Sequence, residues 1–140
     1  MHPDAIHSAE TRIVEMVFPD RANHYGTLFG GNALQLMGKA AFIAATRHAR
    51  RHVVMASSDN ISFDEPVRVG DLVECVASIA RVGNASMTVA VDLFREDALS
   101  GLRRSAVRGT FEMVAVDANG RPVRISEAKD RIEAQEEAVL

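Results

Sequence analysis

The chain has 140 residues, enough for one domain with its own hydrophobic core, and its net charge of −3 at pH 7 argues against a nucleic-acid-binding protein. Its single cysteine, Cys75, excludes an intrachain disulfide and any zinc site built from cysteines. The N-terminus lacks the basic and apolar regions of a signal peptide, and the apolar stretch 33–45 is too short to cross a bilayer, so we expect a soluble cytoplasmic protein without a nucleic-acid or membrane partner.

The first half of the chain predicts one strand, a loop with three glycines and one helix. The stretch "TRIVEMVF" (11–18) is rich in β-branched and apolar residues and ends at Pro19, which is typical of a strand. Glycines at 26, 30 and 31 follow. From Asn32, the expected N-cap, to about Arg50, residues with high helix propensity predominate and predict a helix. Because its residues 33–45 are almost all apolar, we expect this helix to be buried.

The second half of the chain predicts several strands separated by short turns. Strand-like segments occupy 53–58, 60–63, 71–82, 86–96 and 102–116. In 86–96 apolar and polar residues alternate, as expected for a strand with one buried face. The tail from Ser126 is polar and rich in Glu and Ala, and we expect it to form a frayed helix.

The order of these elements predicts an α+β fold. One strand and one buried helix are followed by an antiparallel meander of about four strands, and a single central helix can cover the buried face of such a sheet. A sheet of about five strands wrapped around one long helix is the hotdog fold. With six Phe, one Tyr and no Trp, a monomer would have a thin core and exposed sheet edges. We therefore expect a homodimer that extends the sheet.

The glycine loop does not have the pattern of a phosphate-binding loop, because neither G-K-[ST] nor G-x-G-x-x-G is present there. The segments "NHYGTLFGG" (23–31), "ASSDNISFDEPVRVGDLVE" (56–74) and "RVGNASMTVAV" (81–91) instead resemble the hotdog-fold acyl-CoA thioesterases related to brain acyl-CoA hydrolase. The three segments occur in the family's order and at its spacing. The resemblance covers residues 8–123 and leaves 124–140 as a polar C-terminal tail.

The resemblance implies that the protein hydrolyses an acyl-CoA to a free carboxylic acid and CoA. No cofactor is required, and CoA is part of the substrate. In such enzymes the thioester carbonyl lies at the N-terminus of the central helix, where free backbone N–H groups form an oxyanion hole. Gly31 would contact the reacting carbonyl, with Phe29 and Gly30 beside it on the substrate. From the residues alone, the glycines could equally serve only a tight turn into the helix. The resemblance also implies a trimer of dimers.

The residue that activates water is not at either position usual for the resembled family. Members carry an Asp or Asn where this chain has Thr27, or an acid in the helix where this chain has Gly38. Thr27 can position a water molecule but takes up no proton at pH 7. The other candidates, each of which could instead be a structural loop or strand residue, are Asn23, His24, Asp59, Asp64 and Glu65. We assign the catalytic role to Asn23, Thr27, Gly31 and Asp59.

Two alternative functions follow from the same fold. The first is a non-catalytic or weakly active acyl-CoA-binding protein, which Thr27 and Gly38 favour. The second is a hotdog dehydratase, which needs a paired acid and histidine. Because 32–46 contains no Asp, Glu or His, the second is the weaker alternative.

Coenzyme A carries phosphates, and arginine binds phosphate well. The available arginines, any of which could instead be solvated surface charges, are Arg50, Arg51, Arg68, Arg81, Arg103, Arg104 and Arg108. The resemblance assigns nucleotide binding to the turn after the second meander strand, which here means Arg81, Gly83 and Ser86. Cys75 lies in an apolar strand, and we expect a buried core residue there rather than a reactive thiol.

Overall fold

The computed structural model describes residues 10–125, so the predicted helix of the tail from Ser126 lies outside the described residues. Five strands and one long helix follow one another along the chain. They are β1 (Glu10–Met16), α1 (Gly30–Ala49), β2 (Val53–Phe63), β3 (Leu72–Val82), β4 (Ser86–Glu96) and β5 (Arg103–Ala115). A short 3-10 turn, Pro19–Arg21, precedes the glycine loop. Among the described residues, no helix is both long and apolar enough to span a membrane.

The five strands form one antiparallel sheet in the order β1-β3-β4-β5-β2. The hotdog fold predicted from the sequence is thus confirmed, with one difference. The meander comprises only β3, β4 and β5, because β2 lies beyond β5 at an edge instead of beside β3. A meander pairs strands that follow one another in the sequence, whereas β2 and β3 are not paired. The connection between them crosses the end of the sheet and forms hydrogen bonds to the glycine loop.

The inner face of the sheet packs against α1 through alternate residues of its central strands. On β4 the side chains of Met87, Val89, Val91 and Leu93 are at most 2% exposed, as the alternating pattern predicts. The buried side of α1 consists mainly of alanines, whose small side chains let the sheet approach the helix closely. The opposite side is not buried: Gln35, Lys39 and Phe42 are exposed. The prediction of a wholly buried helix therefore holds only for the side facing the sheet.

The helix begins two residues before the predicted start. Gly30 is its first residue and Phe29 its N-cap, which makes no side-chain capping bond. Asn32 is therefore not the N-cap; its Nδ2 donates to the carbonyl oxygen of Arg21 at 2.9 Å. At the other end Arg50 adopts a left-handed conformation with φ 53°, and its N–H donates to the Thr46 carbonyl oxygen at 2.7 Å. The consequence is that both Gly30 and Gly31 lie in the first helical turn.

Strand β2 joins the two strand-like segments predicted at 53–58 and 60–63. Its pairing with β5 shifts twice, and within the second irregularity Asn60 has φ 56°, a left-handed conformation that asparagine tolerates. Ile61 there lies over Gly109 so closely that a Cβ at Gly109 would be 2.3 Å from its Cδ1. Every residue from 54 to 60 is exposed, and within the described residues the outer edge of β2 has no pairing strand.

Candidate active site

The loop from Asn23 to Phe29 is ordered around a single side-chain oxygen. Oδ1 of Asn23 accepts hydrogen bonds from the backbone N–H of Tyr25 at 3.0 Å, from the backbone N–H of Thr27 at 3.2 Å and from the Thr27 hydroxyl at 3.1 Å. Gly26, at the tip, has φ +79° and therefore a conformation that favours glycine. Asn23 thus organises the loop, as one of the two sequence interpretations expected.

This loop is also fixed to the connection between β2 and β3. The N–H of Leu28 donates to the Val67 carbonyl oxygen at 2.6 Å, and the N–H of Val69 donates to the Gly26 carbonyl oxygen at 3.1 Å. On the other side, Phe29 donates to the Arg21 carbonyl oxygen at 3.0 Å. Bonds on both sides hold the entry to α1 in one position.

The first two N–H groups of α1 are free. The N–H groups of Asn32 and Ala33 both donate to the Phe29 carbonyl oxygen, at 2.9 and 3.0 Å, whereas those of Gly30 and Gly31 find no acceptor among the described residues. Two adjacent donors at the positive end of a helix dipole favour a negatively charged oxygen. This arrangement can stabilise the oxyanion of a tetrahedral intermediate.

A cavity of about 200 Å³ lies at this helix N-terminus. The ring of Phe63 closes one side, 3.5 Å from where a Cβ of Gly30 would stand. A Cβ at Gly31 would lie only 2.7 Å from Cε2 of Phe29, so this position accepts a side chain only if the Phe29 ring moves. The residues lining the cavity are Leu28, Gly30, Ala33, Phe63, Asp64, Glu65, Pro66, Val67 and Val107.

Two of the sequence candidates, Asp64 and Glu65, border this cavity. Asp64 accepts a hydrogen bond from the Ser62 hydroxyl at 2.5 Å and pairs with Arg108 at 3.3 Å. The bond from Ser62, followed by the charge of Arg108, lowers the pKa of Asp64. Glu65 pairs with Arg104 through Oε1 at 3.2 Å, while its Oε2 is buried and has no hydrogen-bond partner.

Asp59 and His24 are not brought to the cavity. Asp59 pairs in register with Thr110, which alternates with the buried Phe111, so both side chains lie on the sheet face opposite α1. A role of Asp59 at the site of a partner subunit stays a prediction. The His24 ring lies 3.9 Å from the Tyr25 ring, and both residues are exposed, in agreement with the packing interpretation.

The predicted nucleotide-binding turn lies at the far end of the sheet. Gly83 and Ser86 close the turn from β3 to β4 through a 2.7 Å bond from the Gly83 N–H to the Ser86 carbonyl oxygen. Ser86 is opposite Val114, whereas the cavity is lined by Val107, seven residues earlier on β5. That separation is about 23 Å. One protomer therefore does not bring this turn and Arg81 to its own helix N-terminus.

The arginines divide into a paired and an unpaired group. Arg103, Arg104 and Arg108 pair with the carboxylates of Glu74, Glu65 and Asp64, which reduces their value as phosphate ligands. Among the seven arginines proposed from the sequence as phosphate ligands, those that form no ion pair with a described carboxylate are Arg50, Arg51, Arg68 and Arg81. In Arg51, Nε and one terminal nitrogen are buried without a hydrogen-bond partner. Arg51 lies at the same end of the sheet as Gly83. The N–H of Val116 donates to the carbonyl oxygen of His52, next to Arg51, and the N–H of Ala115 donates to the carbonyl oxygen of Ala85, in the Gly83 turn.

The helix position that carries an acid in the resembled family is filled by packing. Gly38 is buried, and a Cβ there would lie 3.1 Å from Cε of Met55 on β2. Cys75 is fully buried, as predicted, and burial raises the pKa of its thiol to about 12, so it stays protonated. Within residues 10–125, no group of three or more His, Cys, Asp or Glu residues is placed to hold a metal ion.

Comparison with known proteins gives one family. The family model "Thioesterase superfamily" matches residues 25–101. A Bacillus subtilis protein described as an uncharacterized acyl-CoA thioester hydrolase is 34% identical over 99% of this chain and 80% of its own length. The Staphylococcus aureus acyl-CoA hydrolase, solved with butyryl-CoA and CoA, has a TM-score of 0.80 at 27% identity, covering 94% of this chain and 89% of that one.

A third relative adds an assembly state. A solved hexameric, broad-specificity acyl-coenzyme A thioesterase has a TM-score of 0.78 at 30% identity, covering 81% of this chain and 84% of that one. The matched segment 25–101 contains the three loop glycines, all of α1 and every residue that lines the cavity described above except Val107. The chain belongs to the thioesterase superfamily, among its hotdog-fold acyl-CoA thioester hydrolases.

Proposed function

We propose that this protein hydrolyses acyl-CoA thioesters to a carboxylic acid and CoA. The observation that carries the proposal is the pair of free N–H groups of Gly30 and Gly31, which open where a cavity meets the start of α1. Water attacks the thioester carbonyl carbon, the carbonyl oxygen becomes an oxyanion, and the C–S bond then breaks to release CoA as a thiol. The two N–H groups hold the oxyanion, a function worth about 10²–10³ in rate for a single donor.

Asn23 and Thr27 support this chemistry by holding the loop. Because the Thr27 hydroxyl donates to Asn23, it is a positioning group and not a base. Phe29 and Phe63 form apolar walls around the two glycines and contact the acyl or pantetheine chain. The reaction needs no cofactor, and CoA enters as part of the substrate.

Turnover measured with a panel of acyl-CoA substrates of increasing chain length tests the proposal. Release of free thiol distinguishes hydrolysis from the second candidate function, binding without turnover. That candidate is favoured by one observation: Gly38, at the helix position where the resemblance implies an acid, packs against Met55. Saturable CoA binding with no thiol release from any substrate would support the binding function instead.

A dimer completes the site. Strand β2 runs from Val53, beside the end of β5 nearest the Gly83 turn, to Phe63 beside Gly30. If the free edge of β2 pairs antiparallel with β2 of a second copy, the start of one β2 strand lies beside the end of the other across the two-fold axis. The second subunit's Gly83 turn then lies at the same end as the first subunit's helix N-terminus. This pairing also covers the exposed residues 54–60.

Light scattering at micromolar concentration should show at least a dimer. The hexameric relative supports a trimer of such dimers. Val54→Arg, at a residue 47% exposed on the free-edge strand, should weaken the dimer because it places a charged side chain in the strand pairing between the subunits. Val69→Arg, at a residue 40% exposed in a turn, is the matched control and should leave the mass unchanged. A stable wild-type monomer would contradict the dimeric site.

CoA should stabilise the folded protein through mass action and so raise its melting temperature. At a concentration a hundred times its Kd, the added free energy of unfolding is about 2.7 kcal/mol. We assign its phosphates to Arg51 and Arg81, two of the arginines at the Gly83 end of the sheet that have no described ion pair. Arg51→Met should reduce the shift, and salt should reduce it further by screening. Arg12→Met, on β1 and already paired with Glu10 and Glu74, is the control. A melting temperature unmoved by millimolar CoA would contradict both the hydrolase and the binding function.

A further inference from the structure

The two adjacent carboxylates beside the cavity have different surroundings. Asp64 is exposed, and its oxygens are taken by the Ser62 hydroxyl and by Arg108. Glu65 is more enclosed, with a side chain 29% exposed, and only its Oε1 faces a cation, Arg104. Its Oε2 is buried and accepts no hydrogen bond. Glu65 is therefore the carboxylate at the cavity border that has one oxygen held by no described donor.

A buried carboxylate oxygen without a donor is costly, and folded proteins rarely leave one in that state. Rotation of the Glu65 side chain towards the adjoining cavity would let a water molecule supply the missing donor. The backbone at this point is anchored, because the N–H groups of Asp64 and Glu65 both donate to the Ala106 carbonyl oxygen, at 2.8 and 3.2 Å. Pro66 follows directly and restricts the backbone of Glu65 further. Glu65 is thus held on the border of the cavity that Gly30 also lines.

No other carboxylate competes for this role in the described part of the protomer. Helix α1 contains neither Asp nor Glu, and Gly38 is packed against Met55. Asp59 lies on the other face of the sheet, and the Thr27 hydroxyl is bonded to Asn23. The residues that line the cavity include Gly30, whose N–H is free, and Glu65.

We propose that Glu65 is the general base of the hydrolysis, a role that rests on the proposed function. Oε2 of Glu65 accepts a proton from water as the water oxygen forms its bond to the thioester carbonyl carbon. The carbonyl π electrons move to oxygen, where the N–H groups of Gly30 and Gly31 hold the oxyanion. When the carbonyl re-forms, the C–S bond breaks and the leaving sulfur takes the proton from Glu65. The carboxylate is regenerated, and no further reactant is required.

The charged groups near Glu65 come from β5, from β4 and from its own connection. Arg104 faces it from β5, and Arg108 lies nearby on the same strand, paired with Asp64. Arg95 on β4 donates to the Pro66 carbonyl oxygen at 3.4 Å and pairs with Asp71. The carboxylate of Asp64 is the acidic group next to it in the chain. Removing Arg104 therefore takes away the ion-pair partner of Oε1 and leaves the carboxylate in place.

The test compares kcat and KM of wild-type protein with those of four variants. Glu65→Gln should lower kcat by roughly 10²–10⁴-fold, with KM and the CoA affinity within about threefold of wild type. Glu65→Asp, which keeps a carboxylate on a shorter side chain, should recover part of the loss. Glu74→Gln is the matched control, since Glu74 is also enclosed and paired with arginines but lies on β3 facing away from α1. Arg104→Gln should retain most of kcat, because it removes the partner of Oε1 and keeps the carboxylate.

The possible results distinguish a failure of the proposed role of Glu65 from a failure of the proposed hydrolase function. Near-normal turnover in folded Glu65→Gln, or an equal loss in Glu74→Gln, would overturn the role of Glu65 and leave the hydrolase intact. A large kcat loss in Asp64→Asn with none in Glu65→Gln would assign the base to the neighbouring residue. If Glu65→Gln failed to fold, Glu65→Asp would decide, and a wild-type kcat in folded Glu65→Asp would overturn the proposal. Wild-type protein without turnover on any acyl-CoA would overturn the function and the base together.

Discussion

Gly31→Val is expected to lower turnover by at least about 10²-fold while leaving the fold intact. A Cβ at this position would already lie 2.7 Å from Cε2 of Phe29, so a valine has to displace the Phe29 ring and adds its own methyl groups beside the free N–H groups. The substrate carbonyl then cannot reach those donors. Because Gly31 is exposed in the first turn of α1, the displaced ring meets solvent and not the core.

Steady-state kinetics and a melting curve test this expectation together. The melting temperature should change by only a few degrees, since valine is a slightly better helix former than glycine and offsets part of the local strain. Gln35→Val is the matched control: it places the same β-branched side chain on an exposed position one turn further along α1, away from the N–H pair. Normal turnover in Gly31→Val would show that the oxyanion is held elsewhere.

Local patterns in the sequence were enough to predict most of the elements. The alternation of 86–96 predicted β4 with its observed bounds, because one face of that strand is buried and the other is not. The start of α1 was missed by two residues. Glycine has low helix propensity, so Gly30 and Gly31 were assigned to the loop, yet their N–H groups are free because they form the first helical turn. The site therefore depends on a feature that helix propensity disfavours.

Long-range placement was harder to predict. No local signal indicates that β2 pairs with β5 instead of with the next strand, or that β2 is irregular around Asn60. The face occupied by Asp59 depends on that register, so its position opposite α1 could not be deduced from the sequence. Phe63 and Glu65 reach the helix N-terminus only because the end of β2 lies over Gly30. The sequence feature that could have indicated Phe63 and Glu65 was "SFDEP", where a strand ends at a proline turn.

Gly38 has two possible explanations, and the structure favours one of them. A glycine inside a helix costs about 1 kcal/mol relative to alanine, so some contact or function has to offset its presence. The position is buried, and Met55 on β2 approaches to within 3.1 Å of the missing Cβ. Close packing of strand on helix therefore accounts for the glycine. The other explanation is that the chain lacks, at position 38, an acidic residue that would increase the rate of hydrolysis.

Gly38→Asp distinguishes the two explanations and is expected to destabilise the fold by roughly 3 kcal/mol or more, because it buries an unpaired carboxylate against a thioether. For a chain of this length that corresponds to a fall in melting temperature of about 10 °C. Burial would raise the pKa of the new carboxyl above its unfolded value of about 3.9. The folded variant would then bind more protons than the unfolded chain, so the deficit should shrink as the pH falls from 7 towards 4.

Two further variants separate packing from charge at this site. Gly38→Ala adds only a Cβ against the flexible end of Met55 and gains helix propensity, so its stability should stay close to that of wild type. In Gly38→Asp with Met55→Ser, the space is opened and a hydroxyl can donate to the new carboxylate, so part of the lost stability should return as a favourable coupling in a double-mutant cycle. A Gly38→Asp protein that melts like wild type and hydrolyses acyl-CoA faster would show that an acid was missing. Because Glu65 already borders the cavity as the proposed base, we expect no such gain, and an acid added at Gly38 should cost stability without raising kcat.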